Sequence, residues 1–178
     1  EICVESFDDA MVAARAGADR IEYCAALAVG GVTPSAGAMA RLRDIPVPCR
    51  VMIRPRPGDF IYGASDVAMM KHDIALARDH GAEGVVIGAA MRVGRLDRDM
   101  LADLLSVAGG LGAITILPGC GITPENAAVL LRKTGAVELH ASCKKAIPAG
   151  VGYAAGRVET DGDAIRALVA VMAGLVAP

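Results

Sequence analysis

Three times the chain runs from an amphipathic stretch through Gly-Ala and a third residue into a short apolar run. The triplets are Gly17-Ala18-Asp19 leading into Arg20–Cys24, Gly81-Ala82-Glu83 leading into Gly84–Gly88, and Gly135-Ala136-Val137 leading into Glu138–Ser142. A glycine ends a helix by taking a left-handed backbone conformation that a side chain disfavours. When a β-rich run follows at once, the pair forms the αβ joint of a repeating unit. Repetition of that joint predicts alternating strands and helices, and so a parallel sheet covered by helices.

The hydrophobic period places strands near Ile2–Val4, Ile21–Tyr23, Val51–Ile53, Val85–Ile87, Ile114–Leu117 and Val137–Leu139. Helices are expected near Asp8–Ala16, Gly37–Asp44, Asp66–His80, Asp97–Val107, Pro124–Thr134 and Asp163–Val176. Ser6 and Asp97 are natural N-caps, and Thr123-Pro124 supplies an N-cap and a first-turn proline. The αβ joints are tight, whereas the βα loops are long and rich in Gly, Pro and charge: Ala25–Ala36, Pro55–Ser65, Ala89–Leu96, Pro118–Thr123 and Ala141–Gly162. In (β/α)₈ barrels the βα loops build the functional face, and the polar motifs of this chain fall there. The expected fold is therefore α/β, a TIM-type barrel. The visible units are too few to close eight strands, and the seam is Gly109-Gly110-Leu111-Gly112. About two βα units are expected to be missing near Gly112/Ala113. An open doubly wound sheet is the alternative, but Glu5-Ser6-Phe7-Asp8 stands where its Gly-rich turn would be.

With 178 residues, 54% hydrophobic and 21% charged, the chain is expected to form one globular domain over residues 1–178. Such a chain buries roughly 70% of its unfolded surface, enough for a core without staples. A net charge of −2 with scattered Lys and Arg argues against a nucleic-acid partner. No apolar run approaches the roughly 18 residues of a membrane helix. No signal peptide is visible, and the chain starts at Glu1 rather than at a methionine. Five cysteines, an odd number without framework spacing, point to free thiols and a cytoplasmic location.

Candidate site residues gather after the strands. Arg54-Pro55-Arg56, followed by Pro57-Gly58-Asp59, offers two guanidinium forks suited to a carboxylate or phosphate. Pairing of those arginines with Asp59 and Glu22 is the competing structural reading. Gly119-Cys120-Gly121, ahead of the Pro124 helix, would let a backbone approach an anion, with Ser142 on the next strand end as a further contact. A plain capped turn explains the same glycines. Cys3 and Cys24 fall on neighbouring strands, where they are either soft-metal ligands or buried core residues. His140, at a strand terminus, is the histidine in a ligand or catalytic position, whereas His72 and His80 belong on an outer helix. Cys49 is expected to be structural.

In order, the motifs Glu1-Ile2-Cys3-Val4-Glu5-Ser6, Gly17–Cys24, Gly30-Gly31-Val32-Thr33-Pro34-Ser35, Val51–Phe60, Met70–Ile74, Leu117–Ile122 and Glu138–Ser142 resemble the CutC family of copper homeostasis proteins. The resemblance implies a (β/α)₈ barrel, copper(I) thiolates at Cys3 and Cys24, and a polar pocket at Glu22, Arg54, Arg56, Asp59, His140 and Ser142. The chain departs from the family between Gly112 and Ala113, where a stretch containing Thr-Phe-His-Arg is absent.

Two functions follow. One is a cytoplasmic copper homeostasis protein holding copper(I) at Cys3 and Cys24. The other is an enzyme acting on a small anionic or phosphorylated substrate, with Arg54 and Arg56 holding the anion and Glu22 or His140 exchanging a proton. The expected partner is a copper ion or a small anionic ligand, without nucleic acid or membrane, and a homo-oligomer is left open. A scaffold would have no need of such residues on one face.

Overall fold

The computed structural model describes residues 1–109, 121–147 and 158–176. Four strands, β1 (Ile2–Val4), β2 (Ile21–Tyr23), β3 (Cys49–Ile53) and β4 (Gly84–Ile87), lie side by side in chain order, all parallel. Across them Cys3 is opposite Glu22, Glu22 opposite Arg50, and Arg50 opposite Gly84. A fifth segment flanks β1: Ala141 forms a parallel bridge with Ile2, and the Cys3 N–H donates to the Ala141 carbonyl at 2.9 Å.

The helices are α1 (Phe7–Arg15), α2 (Ala36–Met39), α3 (Ala64–Asp79), α4 (Arg98–Ala108), α5 (Pro124–Thr134) and α6 (Gly162–Val176). Their starts follow the expected chemistry. The Ser6 hydroxyl accepts from the Asp9 N–H at 3.0 Å, Asp97 accepts from the Met100 N–H at 3.0 Å, and Thr123 shares a capping box with Asn126. The joint glycines Gly17, Gly81 and Gly135 all have positive φ, at 94°, 90° and 70°. The repeat read from the sequence is thus a real backbone feature.

Because side chains alternate along a strand, each strand divides its residues between two faces. Ile2, Val4, Ile21, Tyr23, Cys49, Val51 and Ile53 form one set, all buried and part of the core that includes Ala10 and Ala13 of α1 and Met70 and Ile74 of α3. Each fully buried side chain of the size of Ile contributes roughly 1.5–3 kcal/mol. The other set holds the polar residues Glu1, Cys3, Arg20, Glu22, Cys24, Arg50 and Arg54, together with Met52 and Val86.

Several expectations are corrected. The helix expected over Gly37–Asp44 is one turn of α2 followed by a 3₁₀ turn at Leu42–Asp44. Met39, Leu42 and Ile45 are all buried, and a spacing of three suits the tighter 3₁₀ winding. The strand expected at Val137–Leu139 pairs with the sheet further on, at Ala141; Val137 is 85% exposed because the turn after α5 runs through it. The Ala141–Gly162 loop contains an antiparallel pair, β5 (Lys144–Ala146) with β6 (Val158–Thr160). That pair is tied to α1 by Asp9, which accepts the Thr160 N–H at 2.8 Å and lies 3.5 Å from the Lys144 ammonium.

A closed TIM-type barrel is not present among the described residues. The sheet is an open arc of four strands plus the Ala141 bridge, with β4 at its edge. The strand expected at Ile114–Leu117 and the seam near Gly112/Ala113 lie outside the described residues. No helix among the described residues is long and apolar enough to cross a membrane.

Candidate metal centre

The polar face of the sheet carries a connected cluster. The Cys3 and Cys24 sulfurs lie 3.6 Å apart, both residues buried. Cys3 is on β1, and Cys24 follows β2 directly, its N–H held by the Val4 carbonyl at 2.8 Å. The Cys24 thiol donates to Glu22 Oε2 at 3.5 Å. Glu22 Oε2 in turn lies 3.4 Å from His140 Nε2, and His140 Nδ1 donates to Glu1 Oε1 at 2.9 Å. Arg20 completes the chain, with Nε 2.6 Å from Glu1 and NH2 2.7 Å from Glu138, while Arg50 stands 3.6 Å from Glu1.

Electrostatics divide the charge among these groups. Cys3 is lowered to about 5, first by the hydrogen bond with Cys24 and, against the cost of burial, by His140. Cys24 is raised, first by its interaction with Cys3 and then by burial beside the Glu22 charge. Burial, reinforced by the Cys3 charge, pushes Glu22 up to about 8. Burial alone would lower His140, but its contacts with Cys3 and Glu1 and the charge of Glu22 hold it at about 10. Burial would raise Glu1, yet the hydrogen bonds from His140 and Arg20 bring it to about 2. The metal-free cluster therefore balances a Cys3 thiolate and a Glu1 carboxylate against His140 and Arg20 cations.

Two overlapping triads, Cys3/Glu22/Cys24 and Glu1/Glu22/His140, each bring their ligand atoms within 4.8 Å of one another. Two sulfurs sharing a tetrahedral metal at about 2.3 Å each lie roughly 3.8 Å apart. The sulfur pair at 3.6 Å thus fits a shared soft metal with almost no movement.

The remaining expected site residues are placed elsewhere. Arg54 is buried, and its guanidinium donates to the carbonyls of Val29 (3.2 Å), Gly31 (2.9 Å) and Gly58 (2.7 Å) while stacking on Phe60. It ties together the loops after β2 and β3. Arg56 pairs with Asp59 at 3.1 Å and Asp66 at 3.3 Å and donates to the Ile61 carbonyl, so it organises its own loop. The two guanidinium groups do not converge as a matched fork. Pairing with Asp59 holds as the structural reading had it, whereas Glu22 pairs with His140 and not with an arginine. The turn at Gly121 is bound by the Asn126 side chain, which donates to its carbonyl at 2.8 Å. Ser142 is exposed, and Gly119 lies outside the described residues. Cys49 is buried and donates to the Val47 carbonyl, as a structural cysteine does.

Glu1, Arg20, Arg50 and Glu138 escaped the sequence reading. Their signal was the period-two alternation Glu1-Ile2-Cys3 and Arg20-Ile21-Glu22, which puts charge on the face opposite the helices.

The CutC family model matches residues 1–115. The chain belongs to the CutC family. A CutC family protein of Sinorhizobium medicae is 35% identical over 237 aligned positions, covering 99% of this chain and 97% of that protein. This chain has only 178 residues, so a substantial part of that alignment faces no residue here. The human protein named copper homeostasis protein cutC homolog is 30% identical, over 86% of this chain and 76% of its own length. A crystal structure of a CutC protein from Streptococcus agalactiae superimposes with a TM-score of 0.70 at 23% identity, covering 79% of this chain and 96% of the other. That likeness establishes a shared α/β fold with a parallel sheet.

Proposed function

We propose that this chain is a cytoplasmic copper homeostasis protein that binds copper(I) as cargo between Cys3 and Cys24. The observation that carries the reading is the sulfur pair at 3.6 Å, both residues buried. Thiolates are the soft donors that select copper(I). Both thiols are buried away from bulk solvent. The family membership and the name of the human relative support the same reading. The arc of strands is understood as part of a (β/α)₈ barrel from which about two βα units are missing near Gly112/Ala113.

Anaerobic titration of copper(I) against a competing chromophoric chelator tests this. The wild-type chain is expected to take up one copper, and the Cys3→Ser/Cys24→Ser double variant to lose that uptake while keeping its circular dichroism spectrum. Unchanged stoichiometry and affinity in the folded double variant would remove these ligands.

One observation favours an enzyme acting on a small anionic substrate: Glu22 and His140 are in contact, with Glu22 titrating near 8, and so could pass a proton at neutral pH. With Arg54 and Arg56 engaged by their own loops, and the Gly121 turn bound by Asn126, that reading rests on this pair. A thermal shift with phosphate that vanishes in Glu22→Gln or His140→Gln would favour it over copper.

A further inference from the structure

We propose that Cys3, Cys24 and Glu22 form a three-donor site for a divalent cation of the zinc class, with Glu22 Oε2 bound beside the two sulfurs. The copper reading needs the thiols alone, so this inference goes beyond it and brings the neighbouring carboxylate into use. Strand register brings the three donors together. Cys3 on β1 stands opposite Glu22 on β2, and Cys24 follows two residues later on the same face. Their ligand atoms all lie within 4.8 Å of one another.

The spacings are those of a tetrahedral ion. Zinc–sulfur bonds of about 2.3 Å and zinc–oxygen bonds of about 2.0–2.2 Å put two sulfurs roughly 3.8 Å apart, and a sulfur and an oxygen about 3.5–3.7 Å apart. Here the sulfurs are separated by 3.6 Å, and the Cys24 sulfur lies 3.5 Å from Glu22 Oε2. Three protein donors leave the fourth corner of the tetrahedron for a further ligand.

Charge separates the two kinds of ion. Cys3, Cys24 and Glu22 are 5%, 0% and 4% exposed, and each ionises to an anion. Among the described residues the cation paired with Glu22 is His140, 3.4 Å away and itself shared with Glu1. A buried carboxylate is costly unless positive charge offsets it. Copper(I) on two thiolates already leaves one negative charge, and adding Glu22 would leave two. A divalent ion on all three donors leaves one. Copper(I) is soft and gains little from a carboxylate oxygen, whereas zinc accepts sulfur and oxygen together. Glu22 therefore favours the divalent ion, with His140 as the outer partner that holds the carboxylate in place.

The test uses the full chain, kept reduced, with zinc(II) titrated against a chromophoric chelator and cobalt(II) as a spectroscopic probe. One zinc per chain is expected. The cobalt form should show thiolate-to-metal charge transfer and the intense visible bands of a tetrahedral site. Glu22→Gln should bind zinc at least tenfold more weakly, the lower end of what losing even an outer partner costs, and leave copper(I) affinity unchanged. Cys3→Ser/Cys24→Ser should lose zinc as well. No zinc uptake by the wild type, or unchanged zinc affinity in folded Glu22→Gln, overturns the proposal. An equal loss for both ions assigns Glu22 a structural role and overturns it too. So does zinc retained in full without the thiols, which would put the ion at Glu1, Glu22 and His140.

If Glu22→Gln does not fold, ¹³C labelling of the glutamate carboxylates in the wild-type chain decides the matter. Zinc should move the Glu22 resonance, and cysteine signals that move while Glu22 stays still refute ligation. A chain that takes up copper(I) but no zinc refutes only this site. Uptake of zinc without copper(I) refutes the copper reading and leaves this one standing.

Discussion

Arg54 reaches back across the loop after β2 to donate to the Gly31 carbonyl at 2.9 Å, so a residue expected to bind a ligand binds its own backbone. Hydrogen bonds to a charged donor contribute about 1.5–3 kcal/mol each, and buried acceptors left without a partner add to the loss. Arg54→Met should therefore destabilise the fold by about 3 kcal/mol or more. Urea unfolding is the measurement; a free anion-binding arginine would instead leave stability within about 0.5 kcal/mol of wild type.

Gly30 lies against the same guanidinium. Its φ is 89°, and a Cβ there would come within 3.0 Å of Arg54 NH1. Gly30→Ala combines left-handed backbone strain, about 1 kcal/mol, with displacement of a tethered side chain. A loss of about 2 kcal/mol is expected, and combining Gly30→Ala with Arg54→Met should cost less than the sum of the two.

Acid should unfold the chain through two carboxylates. Burial would raise Asp9, but the Thr160 hydrogen bonds and the Lys144 charge hold it below its ordinary 3.8. Glu1 is held at about 2 against an ordinary 4.5. Both are depressed in the folded state, so the stability they supply is complete above their ordinary values and disappears as pH falls through the folded ones. Stability should drop between about pH 4.5 and about pH 2, and Asp9→Asn should flatten that limb in pH-dependent denaturation.

Thiol reagents should sort the cysteines by access. Cys3, Cys24 and Cys49 are buried, while Cys143 is half-buried. Native alkylation followed by peptide mass mapping should label Cys143 well before these three despite the low value of Cys3, because a nucleophile must first be reached. Fast labelling of Cys3 in the folded chain would contradict the burial of the site.

Single positions of the site illustrate what could be read locally. Ser6, Asp97 and Thr123-Pro124 announce their helices because a cap acts on N–H groups two or three residues away. The Gly17, Gly81 and Gly135 joints are legible because backbone strain is a property of the residue that bears it. Cys3, Cys24 and His140 could be named as candidates from strand position alone. Arg54 could not be assigned, because its chemistry suits a phosphate and a cluster of carbonyls equally well.

Neighbouring residues were enough to specify the alternation of strand and helix and the caps, since those depend on spacing along the chain. Which polar residues meet was settled by strand register and by the return of the chain beside β1. Glu1 and His140, 139 positions apart, touch because Ala141 pairs with Ile2. Nothing local fixes that pairing. A shift of one residue would turn His140 to the helix side and dissolve the cluster.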